Sequence, residues 1–358
     1  MKIGILTGGG DCPGLNAVIR AIVRKGTFHY NDEFLGFLEG WRGVLENMVC
    51  PLGLDAVAGI LPRGGTILRS SRTNPAKTPQ GLDNCIENFK KNGVDAVIAI
   101  GGDDTQSVSQ KLFERGVKLV GVPKTIDNDL SGTDFSFGFD TAVTIATEAI
   151  DRVHTTAEAH NRVIVVEVMG RDSGWIAIYS GVAGGADVIL IPERPFNVDE
   201  IADMLKRRHD RGRFFSVIVV AEGAKLGGSS EAISEGNGAG AGVKTDEFGH
   251  VRLGGVGNAL AKEIEQRTGF ETRAVVLGHI QRGGSPTAFD RMLATRYGVG
   301  AIDLVHEGKF GEMVVLRCNE IKAIPIAAAI SKRSIVSPDL INVALSLQDR
   351  RGYKKFVG

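Results

Sequence analysis

Short, continuously apolar runs rich in β-branched residues recur along this chain and alternate with stretches of helical periodicity. Each run is too short for a helix and has no polar face, which is typical of strands in a parallel sheet covered on both sides. The predicted strands are residues 2–6, 96–100, 118–122, 163–168, 188–191 and 215–220. The predicted helices are residues 15–25, 82–92, 106–116, 141–160, 198–211 and 258–267. This alternation predicts an α/β fold of two lobes, with mostly parallel open sheets flanked by helices.

Length and charge narrow the class of protein. The 358 residues predict about two domains on a scale of ~150 residues each. Lys and Arg number 42 and so do Asp and Glu, so the formal net charge is zero. This balance argues against a broad electrostatic surface for nucleic acid or an anionic membrane, although a local basic site stays open.

Targeting and cysteine patterns predict a cytoplasmic protein. The apolar stretch at residues 2–6 is too short for a signal peptide, and the uncharged stretch 173–186 has 14 residues, fewer than the ~18 that span a bilayer. None of the four cysteines forms a CxxC pair, so neither zinc nor a redox dithiol is indicated. Cys12 lies in a glycine-rich turn, where a small filler residue is favoured over a reactive thiol.

The glycine distribution predicts a phosphate-binding turn. Residues 7–16 read TGGGDCPGLN and follow the first predicted strand. Consecutive glycines let backbone N–H groups approach an anion, and the next helix adds the positive end of its dipole. The turn is neither a Walker A loop, because no Lys-Ser/Thr follows Gly14, nor GxGxxG, because of Pro13. A plain strand–helix turn remains the alternative.

Two further turns carry carboxylates at predicted strand ends. Asp103 and Asp104 follow two glycines, where they offer oxygen ligands for Mg²⁺ or simply begin a helix. Residues 123–129 read PKTIDND, which brings Asp127 and Asp129 next to a lysine and a threonine. This segment offers a base, a metal contact and a phosphate contact within seven residues.

Several arginines follow strands or glycine turns, where bidentate phosphate binding is easy, although any one of them alone is more often a surface charge. They are Arg72, Arg162, Arg171, Arg273 and Arg282.

Taken together, these motifs resemble the 6-phosphofructokinase family, from Lys2 to about Ala301. The segments TGGGDCPGLNAVIR, GGDDT, PKTIDND, VVEVMGR and LGHIQRGG occur in the family's order. The resemblance implies transfer of a phosphoryl group to the 1-hydroxyl of fructose 6-phosphate, with Mg²⁺ as cofactor. It also implies a homodimer or homotetramer with shared active sites.

The resemblance assigns roles residue by residue. It implies that Asp127 is the general base, that Thr125 and Asp129 complete its segment, and that Asp103 recruits the metal. Arg72 and Arg171 would neutralise the transferring phosphoryl group, while Gly9 and Gly10 hold the donor phosphates. The implied substrate contacts are Thr125, Ile126, Asp127, Asp129, Met169, Gly170, Arg171, Glu222, His279, Ile280, Gln281 and Arg282, with Arg162 and Arg273 reaching in from a neighbouring subunit.

Two departures resemble the pyrophosphate-dependent branch of the family. Asp104 and Lys124 stand where ATP-using members have glycine. A carboxylate ~4 Å from an additional phosphate repels it by ~1 kcal/mol in water and by ~4 kcal/mol at an effective dielectric constant of 20. Lys124 instead adds positive charge near the transferred group. Both residues are therefore predicted to contact the donor. An ATP-dependent kinase and a non-catalytic sugar-phosphate sensor remain the alternatives.

The predicted domain boundary lies near residues 138–160, where a long helix could connect two lobes before the chain crosses back. Residues 1–138 with a returning segment near 255–305 are expected to bind the donor, and residues 139–254 the sugar phosphate, before a helical or irregular extension at 306–358. Residues 223–257 are expected to form a surface insertion. Arg20 and Arg24 match basic residues of a bacterial effector site, but His154 stands where an arginine is usual, which leaves such regulation open.

Overall fold

A computed structural model describes residues 1–225 and 254–348, so all but the ends of the predicted insertion lies outside the described residues. The described chain forms two compact units. The first comprises Met1–Thr141 and Arg282–Ser334, and the second comprises residues 142–225, 254–281 and 335–348. Both units contain a sheet flanked by helices, which confirms the predicted α/β fold.

The strands, numbered along the described residues, are β1 (Lys2–Thr7), β2 (Glu33–Phe37), β3 (Val49–Pro51), β4 (Ala96–Gly101), β5 (Leu119–Pro123), β6 (Val163–Val168), β7 (Val188–Leu190), β8 (Ser216–Ala221), β9 (Thr272–Val276), β10 (Glu312–Arg317) and β11 (Glu320–Pro325). The α-helices are α1 (Leu15–Lys25), α2 (Trp41–Leu45), α3 (Gly81–Lys91), α4 (Asp103–Phe113), α5 (Phe139–His160), α6 (Trp175–Ala183), α7 (Val198–Asp210), α8 (Val256–Thr268), α9 (Ala288–His306), α10 (Ile326–Ile330) and α11 (Pro338–Leu347).

The first unit is built on a seven-stranded sheet in the order β11-β10-β5-β4-β1-β2-β3. The strands from β10 to β2 run parallel, and both edge strands are antiparallel. All six residues of β4 and five of the six in β1 are buried, as expected for strands covered on both faces. Because β1, β4 and β5 are neighbours, the three turns that follow them lie at one edge of the sheet.

The second unit contains a four-stranded parallel sheet in the order β7-β8-β6-β9. The central strands β6 and β8 are buried along their whole length. The edge strand β9 is only half-buried, and its register pairs Arg273 with Ile164. The turns after β6 and β8 therefore lie together at the carboxyl ends of the parallel strands, as the corresponding turns of the first unit do.

The units differ from the predicted domain bounds. Residues 254–281 lie with the second unit, rather than returning to the first as predicted for residues 255–305. Residues 306–334 belong to the first unit, because β10 pairs with β5 and extends its sheet, so they are not an appended extension. Among the described residues, no helix is both long and apolar enough to cross a membrane.

Candidate functional site

The glycine turn after β1 is held at both sides by backbone hydrogen bonds. The N–H of Gly8 donates to the carbonyl of Ile100 at 2.9 Å, and that of Gly9 donates to the carbonyl of Ser71 at 3.0 Å. Gly9 and Gly14 have φ angles of 79° and 108°, which favour glycine. A Cβ on Gly14 would lie 2.7 Å from the ring of Phe137. The geometry of the turn thus favours glycine at positions 9 and 14.

An open cleft of about 420 Å³ lies beside this turn. Its lining includes Gly9, Gly10 and residues 65–66 and 69–72, the last of which is the predicted phosphate ligand Arg72. The hydroxyl of Ser70 donates to the carbonyl of Gly9 and ties the two walls together. Ser70 was missed by the sequence analysis, because serines outside a recognised motif are common on any surface.

Lys124 extends from the end of β5 to the glycine turn. Its side chain is buried, and Nζ donates a hydrogen bond to the carbonyl of Gly10. A Cβ built on Gly9 would lie 3.4 Å from the same nitrogen. Burial, with a smaller effect from the charge of Arg282, lowers the pKa of Lys124 to about 8. The predicted donor residues Gly9, Gly10 and Lys124 are therefore adjacent.

Asp103 and Asp104 occupy the first turn of α4, directly after β4. Their position at a helix N-terminus stabilises negative charge, so both the helix-start and the metal interpretations fit. The turn adjoins Lys124, because the N–H of Lys124 donates to the carbonyl of Gly101 at 3.1 Å. A Cβ on Gly102 would lie 3.4 Å from the carbonyl oxygen of Lys124.

The segment after Lys124 is organised by the hydroxyl of Thr125. This oxygen accepts from the N–H of Asp127 at 3.1 Å and donates to Oδ1 of Asp129 at 3.2 Å. Ile126 is completely buried and anchors the segment. Burial and the negative charge of Asp127 raise the pKa of Asp129 to about 7, while the positive charge of Arg333 opposes them.

Arg333 was missed by the sequence analysis. Its backbone forms an antiparallel bridge with Leu130, and the N–H of Ser334 donates to the carbonyl of Asp129 at 2.8 Å. The two segments lie about 200 residues apart in the sequence, and Arg333 belongs to no recognised motif. Only the folded first unit shows that they meet.

The structure places the LGHIQRGG motif in both units. Arg282 belongs to the first unit, where Nη1 donates to the carbonyl of Asp11 at 3.1 Å, so its guanidinium lies against the glycine turn. His279, Ile280 and Gln281 belong to the second unit, in a 3₁₀-helix that starts at Gly278. His279 and Ile280 are exposed there, and the buried Gln281 accepts from the N–H of Met169 at 3.4 Å.

The turns after β6 and β8 form the matching edge of the second unit. Gly170 has a φ of 140°, and a Cβ there would lie 2.6 Å from the carbonyl oxygen of Ser173. The N–H of Gly223 donates to the carbonyl of Gly170 at 3.0 Å, and that of Glu222 to Val168 at 2.9 Å. The predicted sugar contacts Met169, Gly170, Arg171 and Glu222 are thereby brought together.

Arg162 and Arg273 lie near the amino ends of the strands in the same sheet, at the opposite end from the turns after β6 and β8. Arg162 precedes β6, and both guanidinium groups contact Oε1 of Glu271 at 2.7 Å. Strands of six residues are about 17 Å long, which separates this end from Gly170 and Arg171. Within this chain the structure does not bring the two arginines to the predicted sugar contacts.

Cys12 is a buried packing residue in this structure. It is fully buried, and burial raises the pKa of its thiol to about 12, so the thiol stays protonated at neutral pH. A Cβ on Gly138 would lie 2.8 Å from Sγ, which shows how tightly the thiol is packed.

Arg20 and Arg24 line a separate open cleft of about 670 Å³ in the first unit. In the second unit, Nε2 of His154 lies 2.9 Å from the carbonyl oxygen of Gly184.

A glycine turn, a buried lysine and carboxylates at adjacent strand ends define a protein of the phosphoryl-transfer class. The phosphofructokinase family pattern matches residues 2–305, and the chain belongs to that family. It is a phosphotransferase enzyme, and the predicted resemblance is confirmed.

The relatives similar to this chain include proteins named for pyrophosphate and proteins named for ATP. The pyrophosphate--fructose 6-phosphate 1-phosphotransferase of Streptomyces coelicolor is 57% identical over 341 residues, covering 95% of this chain and 97% of that protein. The ATP-dependent 6-phosphofructokinase 3 of the same organism is 49% identical over 339 residues, covering 95% and 97%.

Solved structures confirm the fold. A pyrophosphate-dependent phosphofructokinase from Marinobacter aquaeolei has a TM-score of 0.80 at 22% identity, covering all of this chain and 94% of that one. The Pichia pastoris phosphofructokinase in the T-state has a TM-score of 0.79 at 31% identity. That structure matches 98% of this chain, but this chain spans only 38% of its length.

Proposed function

We propose that this enzyme transfers a phosphoryl group from pyrophosphate to the 1-hydroxyl of fructose 6-phosphate, giving fructose 1,6-bisphosphate and phosphate. One observation carries the choice of donor: the buried ammonium group of Lys124 is bonded to Gly10 of the glycine turn. A cation at this point stabilises charge on a short donor without help from a nucleotide. The 57% identity to a pyrophosphate-dependent relative supports the same donor.

In the proposed reaction, the oxygen of the 1-hydroxyl forms a bond to the transferred phosphorus. Asp127 accepts the proton that this hydroxyl loses. The bond from that phosphorus to the bridging oxygen breaks, and phosphate leaves with the bonding electron pair. Lys124, Arg72 and Arg171 are proposed to bind the phosphate oxygens, whose charge spreads as the bond lengthens. We expect the reaction to be reversible, as the resemblance to the pyrophosphate-dependent branch of the family implies.

The chemistry of the acidic residues suits Mg²⁺. Among residues 1–225 and 254–348, no group of three or more His, Cys, Asp or Glu side chains could hold a metal ion on its own. Mg²⁺ usually takes one or two carboxylates and completes its shell with water and substrate phosphates. Asp103 would hold the ion beside Asp104, and bound Mg²⁺ would neutralise charge on the donor phosphates.

The sugar phosphate is proposed to bind through the turns of the second unit, with Met169, Gly170 and Glu222 facing the sugar. His279 and Arg282 are proposed ligands of its 6-phosphate. Arg162 and Arg273 lie at the far end of their own sheet, which supports their proposed role in the site of a neighbouring subunit. The enzyme is therefore proposed to act as a homodimer or homotetramer. The cytoplasm is its proposed location, as the targeting and cysteine patterns predict.

The decisive experiment is an initial-rate matrix with two donors, pyrophosphate and ATP, and two acceptors, fructose 6-phosphate and glucose 6-phosphate, with and without Mg²⁺. We expect turnover with pyrophosphate, fructose 6-phosphate and Mg²⁺ together, and little with ATP. A preference for ATP would favour the activity named for the 49% identical relative and refute the donor assignment. Binding of fructose 6-phosphate without turnover with either donor would refute the reaction.

A further inference from the structure

The carboxylate of Asp290 is buried in the first unit, outside the phosphate and sugar motifs. Its residue is 0% exposed and lies in the first turn of α9. Oδ2 accepts a hydrogen bond from the backbone N–H of Thr141 at 2.8 Å and another from the Thr141 hydroxyl at 2.6 Å. Thr141 is in the first turn of α5, so Asp290 satisfies an amide that the helix itself leaves without a partner.

The beginnings of α5 and α9 are bonded to each other in both directions. The hydroxyl of Thr287 donates to Oδ2 of Asp140 at 2.6 Å and accepts from the N–H of Asp290 at 3.2 Å. The N–H of Thr287 donates to the hydroxyl of Thr141 at 3.0 Å. A change at Asp290 therefore acts first on the start of α5.

The chain immediately before α5 packs between the two loops that carry the proposed chemistry. Gly138 has a φ of 96°, and a Cβ there would lie 2.7 Å from Cβ of Cys12 and 3.3 Å from Cγ2 of Ile126. Cys12 belongs to the glycine turn and Ile126 to the segment of the proposed base. The space left by Gly138 is thus the point at which these two loops meet.

Direct hydrogen bonds join the same stretch to both loops. The thiol of Cys12 donates to the carbonyl of Phe137 at 3.6 Å, and the hydroxyl of Ser136 donates to the carbonyl of Thr125 at 2.7 Å. Phe137 also forms a parallel bridge with Lys124. Residues 136–138 therefore contact both loops, and the fixed start of α5 holds their carboxyl end.

An ionised carboxylate at this position is costly to the fold. Burial raises the pKa of Asp290 to about 6, despite the two hydrogen bonds from Thr141. If Asp290 only filled space, a neutral side chain of similar size could replace it with little loss of stability.

We propose that Asp290 is a positioning residue for phosphoryl transfer: by fixing the start of α5, it holds residues 136–138 against the glycine turn and the Lys124–Asp129 segment. The inference rests on the proposed function, because it assigns the two loops to one reaction. Asp290 does not touch the reacting atoms and acts through Thr141 and Gly138.

The test compares Asp290→Asn with Asp32→Asn. Asp32 is a second buried carboxylate of the same unit, lies 2.7 Å from Nε2 of His306, and belongs to none of the proposed contacts. For Asp290→Asn we expect kcat to fall by about 10²-fold, the loss typical of a small displacement of reacting groups, with little change in either KM. Asp32→Asn should lower Tm without this selective loss of kcat.

Hydrogen exchange provides a readout that needs no activity. In Asp290→Asn, amides of residues 8–14 and 124–129 should lose protection, whereas in Asp32→Asn they should not. A second variant, Thr141→Val, removes the hydroxyl that donates to Asp290 and accepts from the N–H of Thr287, but it keeps the backbone bond to Asp290. It should change the same amides less, and it remains usable if Asp290→Asn does not fold. Because Asp290 is proposed to act through Thr141, the two changes should be non-additive in kcat.

The inference is overturned if Asp290→Asn lowers kcat no more than Asp32→Asn at equal loss of Tm. It is also overturned if exchange increases at α9 alone, or if the changes at Asp290 and Thr141 add independently. An inactive wild-type protein would refute the proposed function, and the exchange comparison would still decide whether Asp290 orders both loops.

Discussion

The ammonium group of Lys124 donates a hydrogen bond to the carbonyl of Gly10, and this contact joins the end of β5 to the glycine turn after β1. The strands β5 and β1 are not neighbours, because β4 lies between them in the sheet. One side chain thereby links the ends of two strands that do not pair. The contact also keeps a positive charge beside Gly10, which lines the cleft where the donor is proposed to bind.

The lowered pKa of Lys124 predicts an alkaline loss of activity. Because the ammonium form loses its proton near pH 8, kcat/KM for pyrophosphate should fall as the pH rises through about 8. Lys124→Met should have a lower kcat/KM with no fall in this range. A pH–rate profile of both proteins checks this, and an unchanged alkaline limb in the variant would contradict it.

The pH dependence of stability separates this effect from unfolding. The unfolded chain keeps the lysine proton up to its ordinary pKa of 10.5, while the native protein releases it near 8. The unfolded state thus binds more protons in this range, so Lys124 makes the free energy of unfolding rise with pH. Relative to Lys124→Met, the wild type should gain stability between pH 8 and 10.5 as it loses activity.

Asp127→Asn should lower kcat by 10² to about 10⁴-fold, the usual range for a lost general base, with a smaller effect on sugar binding. The control is Asp303→Asn, which removes another carboxylate of the same unit, one paired with Lys25 at the surface. Steady-state kinetics of the three proteins provide the measurement. Near wild-type turnover in Asp127→Asn would remove this residue from the mechanism.

Arg333→Met should shift the acid limb of the pH–rate profile. The positive charge of Arg333 lowers the pKa of Asp129, so its removal should raise that pKa further above about 7. If ionised Asp129 is needed, the pH of half-maximal kcat/KM should move upward. Lys332→Met removes a neighbouring exposed cation and is the matched control. Equal profiles for the two variants would exclude a specific effect of Arg333.

Local patterns predicted β1 and the strands β4 to β8, because these strands have a continuous apolar sequence, but they missed β2 and β10, in each of which four residues are buried. The helix α1 begins and ends at the predicted residues. The edge strands β9 and β11 were not predicted, since partial exposure mixes polar residues into them. The glycine-interrupted α9 was missed as well.

The sequence predicted which site residues follow strands, and the sheet order brings those of each unit together. It could not predict contacts such as Arg333 with Leu130 or Asp290 with Thr141. These join segments that are distant in sequence and carry no motif, so only the tertiary fold shows them.

Shared active sites predict complementation between inactive subunits. Arg162→Ala and Asp127→Ala should each be inactive or nearly so, because each removes one contributor to every site of a homo-oligomer. Mixed oligomers should regain part of the activity, since some sites combine an intact Asp127 with an intact Arg162 of another subunit. Co-expression with two affinity tags isolates the mixed species. No recovery in verified mixed oligomers would refute the sharing.

The choice of donor should depend jointly on Asp104 and Lys124. Asp104→Gly should reduce repulsion and crowding against a nucleotide, and a relief of about 2–4 kcal/mol corresponds to roughly 30- to 1,000-fold in ATP affinity. Lys124→Gly should mainly lower turnover with pyrophosphate, because it removes a charge that stabilises the transition state.

The double variant should gain more ATP activity than the two single variants together predict. The backbone of Lys124 is bonded to Gly101, three residues before Asp104, so the two positions belong to one local structure and need not act additively. The measurement is kcat/KM for pyrophosphate and for ATP in all four proteins. Lys111→Gly, a change at the other end of α4, controls for loss of helix stability. If Asp104→Gly leaves ATP binding unchanged, the carboxylate does not select the donor.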